Sequence, residues 1–243
     1  MPEVLEQGRI AFAYRPRVEH PIVVGPADVQ RLLLLLRPEG RALGRVVVVG
    51  RKRLPSAGQV HQRFWAYVER VATADRLSGE LAEFTYETST RGVRHQGTAR
   101  LAGEGAYVLV RKDRHTDLEY LLDLPARRGD VQRALRIERE ASYVMAVFNP
   151  EIPRLFRSWT QSPRFPPELQ ARFGDHHFAP AEPQLLDHPG AELVMIGGRS
   201  RLRGESPVYD LPRGECAPEK ALEELGLPVT GAFLRPLIEG AWL

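Results

Sequence analysis

Hydrophobic residues along this chain fall mostly in short runs or in alternation with polar ones, and only in a few places at helical spacing. The sharpest run is Val46-Val47-Val48-Val49, closed by Gly50. Four β-branched side chains in a row stiffen χ1 and favour the extended backbone, and apolarity on both faces predicts a strand buried on both sides. Arg51-Lys52-Arg53 follows, then the turn-forming Leu54-Pro55-Ser56-Ala57-Gly58. Beyond Gln59 the spacing of Val60, Phe64, Tyr67, Val68 and Val71 predicts a helix over 59–72, with Ser56 as its N-cap.

The same reading extends over the rest of the chain. Strands are predicted at 9–14, 21–24, 83–90, 106–112, 118–124, 141–148 and 192–196, where β-branched and aromatic residues alternate with polar ones or run together. Asp28 starts a short helix that passes into a strand through the leucines at 32–36, and Arg37-Pro38-Glu39-Gly40 turns the chain into the valine strand. Residues 111–117 form a second hairpin turn. Helices are expected at 129–140, 167–173 and 218–225, the last opened by Pro218 and closed by Gly226. Eight prolines between 150 and 190, with scattered aromatics, read as a long wrapping excursion.

The fold class expected is α+β (mixed α/β): a strand-rich, largely antiparallel sheet with a few helices. Asp28-Val29-Gln30-Arg31 recurs as Asp130-Val131-Gln132-Arg133, which fits two related halves. The division expected is 1–103, an N-terminal half holding the strand, basic turn and helix, and 104–243, a strand-rich half with the proline-rich arm and a C-terminal helix.

Composition narrows the class without naming a function. With 43% hydrophobic and 27% charged residues the chain is ordinary globular material. Of 34 basic residues only Lys52, Lys112 and Lys220 are lysine, leaving 31 arginines, whose planar forks suit phosphate and carboxylate. The single cysteine, Cys216, excludes an intrachain disulfide. The N-terminal stretch lacks the apolar core of a signal peptide, and no apolar run is long enough to span a membrane. A soluble cytoplasmic protein is the expectation.

Candidate chemistry centres on positive charge. A strand, a glycine-bounded basic loop at Arg51, Lys52 and Arg53, and a helix start together make an anion site, because free helix N–H groups and the dipole favour a phosphate. The loop has neither GxxxxGK[ST] nor GxGxxG spacing. A second basic set comprises Arg91, Arg94, Arg111, Lys112 and Arg114. If both sets meet at one sheet end beside Phe64, Trp65, Tyr86 or Tyr107, they suit single-stranded nucleic acid, arginines taking phosphates and aromatics taking bases. Asp175-His176-His177 reads as a surface loop, and no metal or cofactor is expected. Ser200, Ser206, Cys216 and Glu104 have no partner assignable from sequence.

The function expected is a non-enzymatic protein binding an anionic partner, either nucleic acid or a phosphorylated molecule. Two alternatives stand beside it. One is an enzyme acting on a phosphate-bearing small molecule. The other is a structural subunit held to its partners by the proline-rich 150–190 arm and the apolar C-terminal tail, the tail joining it to a second copy or to another protein.

Overall fold

The computed structural model describes residues 3–113, 115–153, 162–199, 202, 206–212, 217–224 and 229–242. Its strands are β1 (Glu3–Pro16), β2 (Val29–Pro38), β3 (Leu43–Val49), β4 (Arg63–Thr73), β5 (Phe84–Thr88), β6 (Gly92–Gln96), β7 (Arg100–Lys112), β8 (His115–Leu124), β9 (Glu140–Phe148), β10 (Phe178–Pro180) and β11 (Glu192–Gly197). The helices are α1 (Ala74–Gly79), α2 (Asp130–Leu135), α3 (Pro167–Gln170), α4 (Pro183–Leu186), α5 (Pro218–Glu224) and α6 (Gly231–Ile238).

Eight strands run in the order β9-β11-β4-β3-β2-β1-β7-β8, every neighbouring pair antiparallel. β8 then pairs with β9, Thr116 opposite Met145 and Leu121 opposite Glu140, so the sheet closes on itself. The fold is therefore a closed eight-stranded antiparallel β-barrel, 43% strand and 19% helix, and not the α+β sheet expected from sequence. Closure leaves almost no free edge. β10 adds three residues beside the end of β9, and β5 and β6 pair only with each other, outside the barrel.

Two segments read as helical are strands, for one physical reason. In β2, Leu32, Leu34 and Leu36 face the interior while Leu33 and Leu35 pack outside. In β4, Ala66 and Val68 point inward and Tyr67 outward. The outer wall over β1–β4 is covered by Leu77 of α1, Leu222 of α5 and Leu237 of α6. A strand covered on both faces carries apolar residues on both, so its alternation is lost and i, i+3 matches arise by chance. Burial then overrides leucine's helix propensity. Residues 21–24, expected as a strand, form a loop in which only Val23 is buried.

The interior is filled rather than hollow. Phe12, Tyr14, Tyr107, Tyr120 and Tyr143 are fully buried and meet across it, Phe12 and Tyr120 with ring centroids 5.0 Å apart. Eight strands give an interior just wide enough for side chains. The mouth near Pro16, Val49 and Arg63 is plugged by Val23, Leu54, Val131 and Leu135, and the opposite mouth by Leu169, Phe173, Leu185 and Leu186. A Cβ on Gly105 would lie 2.1 Å from the Leu121 carbonyl oxygen, so glycine there lets β7 and β8 approach.

The two Asp-Val-Gln-Arg copies adopt different structures. Val29–Arg31 belongs to β2, whereas Asp130–Arg133 lies in α2. The pairings β1–β7 and β8–β9 also join strands into one barrel rather than two repeated halves. The division at 103/104 lies within β7. Among the described residues no helix is long and apolar enough to cross a membrane.

Candidate functional site: a basic barrel mouth

β3 ends at Val49 and delivers Arg51, Lys52 and Arg53 to the mouth near Pro16, where all three are exposed. No helix follows them. The loop returns directly to β4, so the anion cradle built on a helix start is absent and the site rests on side-chain charge. The loop is held by named contacts. The Leu54 N–H donates to the Leu135 carbonyl at 2.9 Å, and the Gly58 N–H donates to the Gly198 carbonyl at 2.9 Å. The Gln62 side-chain carbonyl accepts from the Ser56 N–H and from the Arg136 guanidinium, each at 2.9 Å. Gly197 lies so close that a Cβ there would be 2.1 Å from the Ser56 oxygen.

These contacts bring further cations to the same place. Arg136 follows α2 in the left-handed conformation, φ 58°. Its pKa is lowered, first by burial and then by the charge of Arg53. Arg63 opens β4 opposite Ile196, and Arg199 follows β11, its carbonyl accepting from the Ser142 N–H at 2.9 Å. Among the described residues no carboxylate pairs with Arg51, Lys52, Arg53, Arg63, Arg136 or Arg199. The Arg51 guanidinium sits 5.8 Å from the Phe64 ring centroid, a cation–π contact that leaves its positive charge uncompensated.

The other predicted basic residues are distributed elsewhere. Arg111 and Lys112 end β7 at the opposite mouth, because β7 runs antiparallel to β1 with Arg111 opposite Glu3. Arg111 pairs with Glu182 at 2.7 Å and Glu3 at 3.3 Å. Lys112 pairs with Asp117 at 2.7 Å and with Glu119; burial opposes its charge, but these two carboxylates outweigh it and raise the pKa. Arg114 lies outside the described residues. Arg91 and Arg94 sit on the β5–β6 hairpin, which is tied to the basic mouth: the Gln96 side-chain amide donates to the Pro16 carbonyl at 2.8 Å. Of the aromatics, Tyr107 is core, Phe64 packs against the core beneath Arg51, Trp65 points to the outer wall and Tyr86 lies on the hairpin.

The opposite mouth holds a different arrangement. Arg45, 1% exposed, donates to both oxygens of Glu6 (2.5 and 2.8 Å) and to Asp187 at 2.8 Å. Tyr107 donates to Glu6 at 2.7 Å, and Arg41 bridges Glu6 at 3.2 Å and Asp187 at 2.5 Å. Burial opposes the Arg45 charge, but Glu6 and Asp187 prevail and raise its pKa. Two arginines and two carboxylates satisfy one another, which clamps the turn after α4 onto the barrel. A 380 Å³ cleft on the outer wall between Gly8, Arg37, Leu43 and Leu77 also contains Arg9, but Arg9 is tied to Glu104 at 3.0 Å and Asp123 at 2.8 Å. Glu104 and Ser206 thus have partners that sequence did not reveal, Arg9 and Glu119 respectively. Ser200 and Cys216 lie outside the described residues. His176 and His177 are exposed in a turn.

Arg63, Arg136 and Arg199 were not singled out from sequence. Arg63 opens an apolar stretch, Arg136 lies between Arg133 and Arg139 and Arg199 precedes Arg201, and only the long-range pairing of β11 with β4 and with β9, beside β3, brings them to one mouth. Comparison of the chain with protein-family models, curated proteins and solved structures finds no match.

Proposed function

We propose that this protein binds an extended polyanion, a nucleic acid, across the basic mouth of its barrel. The observation that carries the reading is the segregation of charge. The cations of the Gly50–Gln62 loop, with Arg136 and Arg199, have no carboxylate partner among the described residues, whereas Arg111, Lys112, Arg41 and Arg45 at the other mouth are neutralised. Like charges held together without a counter-charge among the described residues repel one another, and a bound anion relieves that repulsion; the Arg136 pKa is lowered first by burial and second by the charge of Arg53. The mouth is plugged by Val23, Leu54, Val131 and Leu135, which favours a backbone running across it over a small phosphorylated molecule sunk into the barrel. A cytoplasmic location goes with this reading.

The test is binding of a labelled 12-nucleotide single strand and of its duplex, followed by fluorescence anisotropy from low to physiological salt. The comparison is with Arg51→Ala/Lys52→Ala/Arg53→Ala, and Arg70→Ala, a surface pair with Glu80 near the opposite mouth, serves as control. Each lost phosphate contact lowers the log–log salt slope by about 0.7 for single strands, so the triple variant is expected to lose about 2 and Arg70→Ala nothing. Absence of binding at low salt, or an unchanged slope in the triple variant, overturns the proposal.

A further inference from the structure

We infer that the β5–β6 hairpin is a stacking arm for the bases of a single-stranded nucleic acid, an inference that rests on the polyanion reading and names which polyanion. The hairpin stands outside the barrel and pairs with no other strand. Large apolar side chains on such a ribbon are a cost in water unless something covers them. Phe84 is 48% exposed and Tyr86 38%, with ring centroids 5.9 Å apart. The register puts them on one face: Phe84 opposite Gln96, Tyr86 opposite Arg94, Thr88 opposite Gly92.

The ribbon is aimed rather than loose. Arg15, 6% exposed, reaches under its root, donating to the carbonyls of Gly97 (3.0 Å) and Ala82 (3.2 Å) and standing 5.2 Å from the Phe84 ring centroid. The Glu19 N–H donates to the His95 carbonyl at 3.0 Å and the Gln96 amide to Pro16, which fastens the ribbon to the basic mouth. One face of Phe84 is thus turned to a cation while nearly half of the side chain remains open to a ligand. Arg91 is exposed at the hairpin turn with no carboxylate partner among the described residues, and Arg94 is held loosely by Glu19 at 3.7 Å.

The ribbon carries Glu83, which pairs with His95 at 3.3 Å, and Glu87 as well as Arg91 and Arg94. Exposed rings with arginines on the same ribbon, fastened to a mouth whose cations have no carboxylate partner among the described residues, are complementary to a ligand with bases and phosphates in alternation. The pairing of open ring faces with cations favours this occupant over a protein segment, whose carboxylates would meet the arginines but which has no regular series of bases to stack on Phe84 and Tyr86. In a duplex the bases are already stacked, so the rings distinguish single from double strands.

The test uses the same single strand, its duplex, and a single strand of identical length with abasic sites. The variants are Phe84→Ala/Tyr86→Ala and Phe84→Leu/Tyr86→Leu, the second keeping apolar bulk while removing the ring faces, each verified as folded by circular dichroism. Stacking is worth about 1–3 kcal/mol per base, so either double variant is expected to weaken single-strand binding at least about 5-fold, with the salt slope unchanged. Duplex and abasic binding should not move. Single-strand binding that depends on Arg51–Arg53 yet is equal in both ring variants overturns the arm and leaves the basic mouth standing. Absence of any nucleic-acid binding overturns both. Self-association that disappears in the ring variants, without an effect on oligonucleotide affinity, assigns the hairpin to a protein contact and likewise overturns the arm.

Discussion

Replacing Arg45 by Met is the perturbation whose size is best fixed by the structure. Arg45 is 1% exposed and supplies both oxygens of Glu6 and one of Asp187 with charged hydrogen bonds between 2.5 and 2.8 Å. Methionine fills much of the same volume, so the dominant loss is electrostatic: Glu6, 8% exposed, keeps only the Tyr107 hydroxyl at 2.7 Å and Arg41 at 3.2 Å. Removing one partner of a buried pair costs about 3–5 kcal/mol because the other charge stays buried. Arg41 remains beside both carboxylates, which places the expected loss near the lower end, about 3 kcal/mol. For a chain of this size that corresponds to a fall in Tm of about 6–12 °C. Urea unfolding followed by tryptophan fluorescence and circular dichroism would show a lower midpoint with an unchanged m-value. Adding Glu6→Gln, which removes the stranded charge but still accepts from Tyr107, should recover about 1 kcal/mol or more. A single-variant loss below about 1 kcal/mol, or a double variant worse than the single, would refute the view that this cluster clamps the turn after α4 onto the mouth opposite the basic one.

Two further predictions concern the barrel wall and its interior. Gly105→Ala places a Cβ 2.1 Å from the Leu121 oxygen, whereas Gly25→Ala meets nothing within 4 Å; thermal unfolding should show a loss of about 2 kcal/mol or more for the first and about 0.5 or less for the second, and equal effects would sink the close-approach argument. Burial raises the Tyr14 pKa from 10.0 to about 12, so the unfolded chain releases this proton first as pH rises. Its contribution is fully present below pH 10 and lost between pH 10 and about 12, at about 1.4 kcal/mol per pH unit. Tyr14→Phe should reduce that alkaline slope by about one proton, and a urea midpoint that stays flat from about pH 9 to 11 would contradict the assignment.

Local chemistry in the sequence was enough to locate most strands and turns. The valine run, the hairpin across Arg111–Asp117, Ala141–Phe148 and Glu192–Ile196 all appear as read, because β-branched content and turn residues act over a few positions. Pro167–Phe173 is helical, and so is Pro218–Glu224 of the helix expected at 218–225, as its leading proline indicated. The failures at 29–33 and 59–72 share a cause: Leu32, Leu34, Ala66 and Val68 are buried inside while Leu33, Leu35 and Tyr67 are buried on the outer wall in one cluster with Leu77, Leu222 and Leu237, so the period of two that marks a half-exposed strand is absent there.

For the site, the sequence determined that Arg51, Lys52 and Arg53 leave a buried strand at a turn, and that Arg91 and Arg94 share a segment with Tyr86. Only the tertiary structure decided which cations meet. Antiparallel pairing of β7 with β1 sends Arg111 and Lys112 to the opposite mouth, where carboxylates neutralise them, whereas the pairing of β11 with β4 beside β3 brings Arg199, and the Leu54–Leu135 and Gln62–Arg136 contacts bring Arg136, to the mouth of Arg51–Arg53. Charge in a sequence is a property of residues, but uncompensated charge is a property of distances, and those are set by long-range strand pairing that no local window contains.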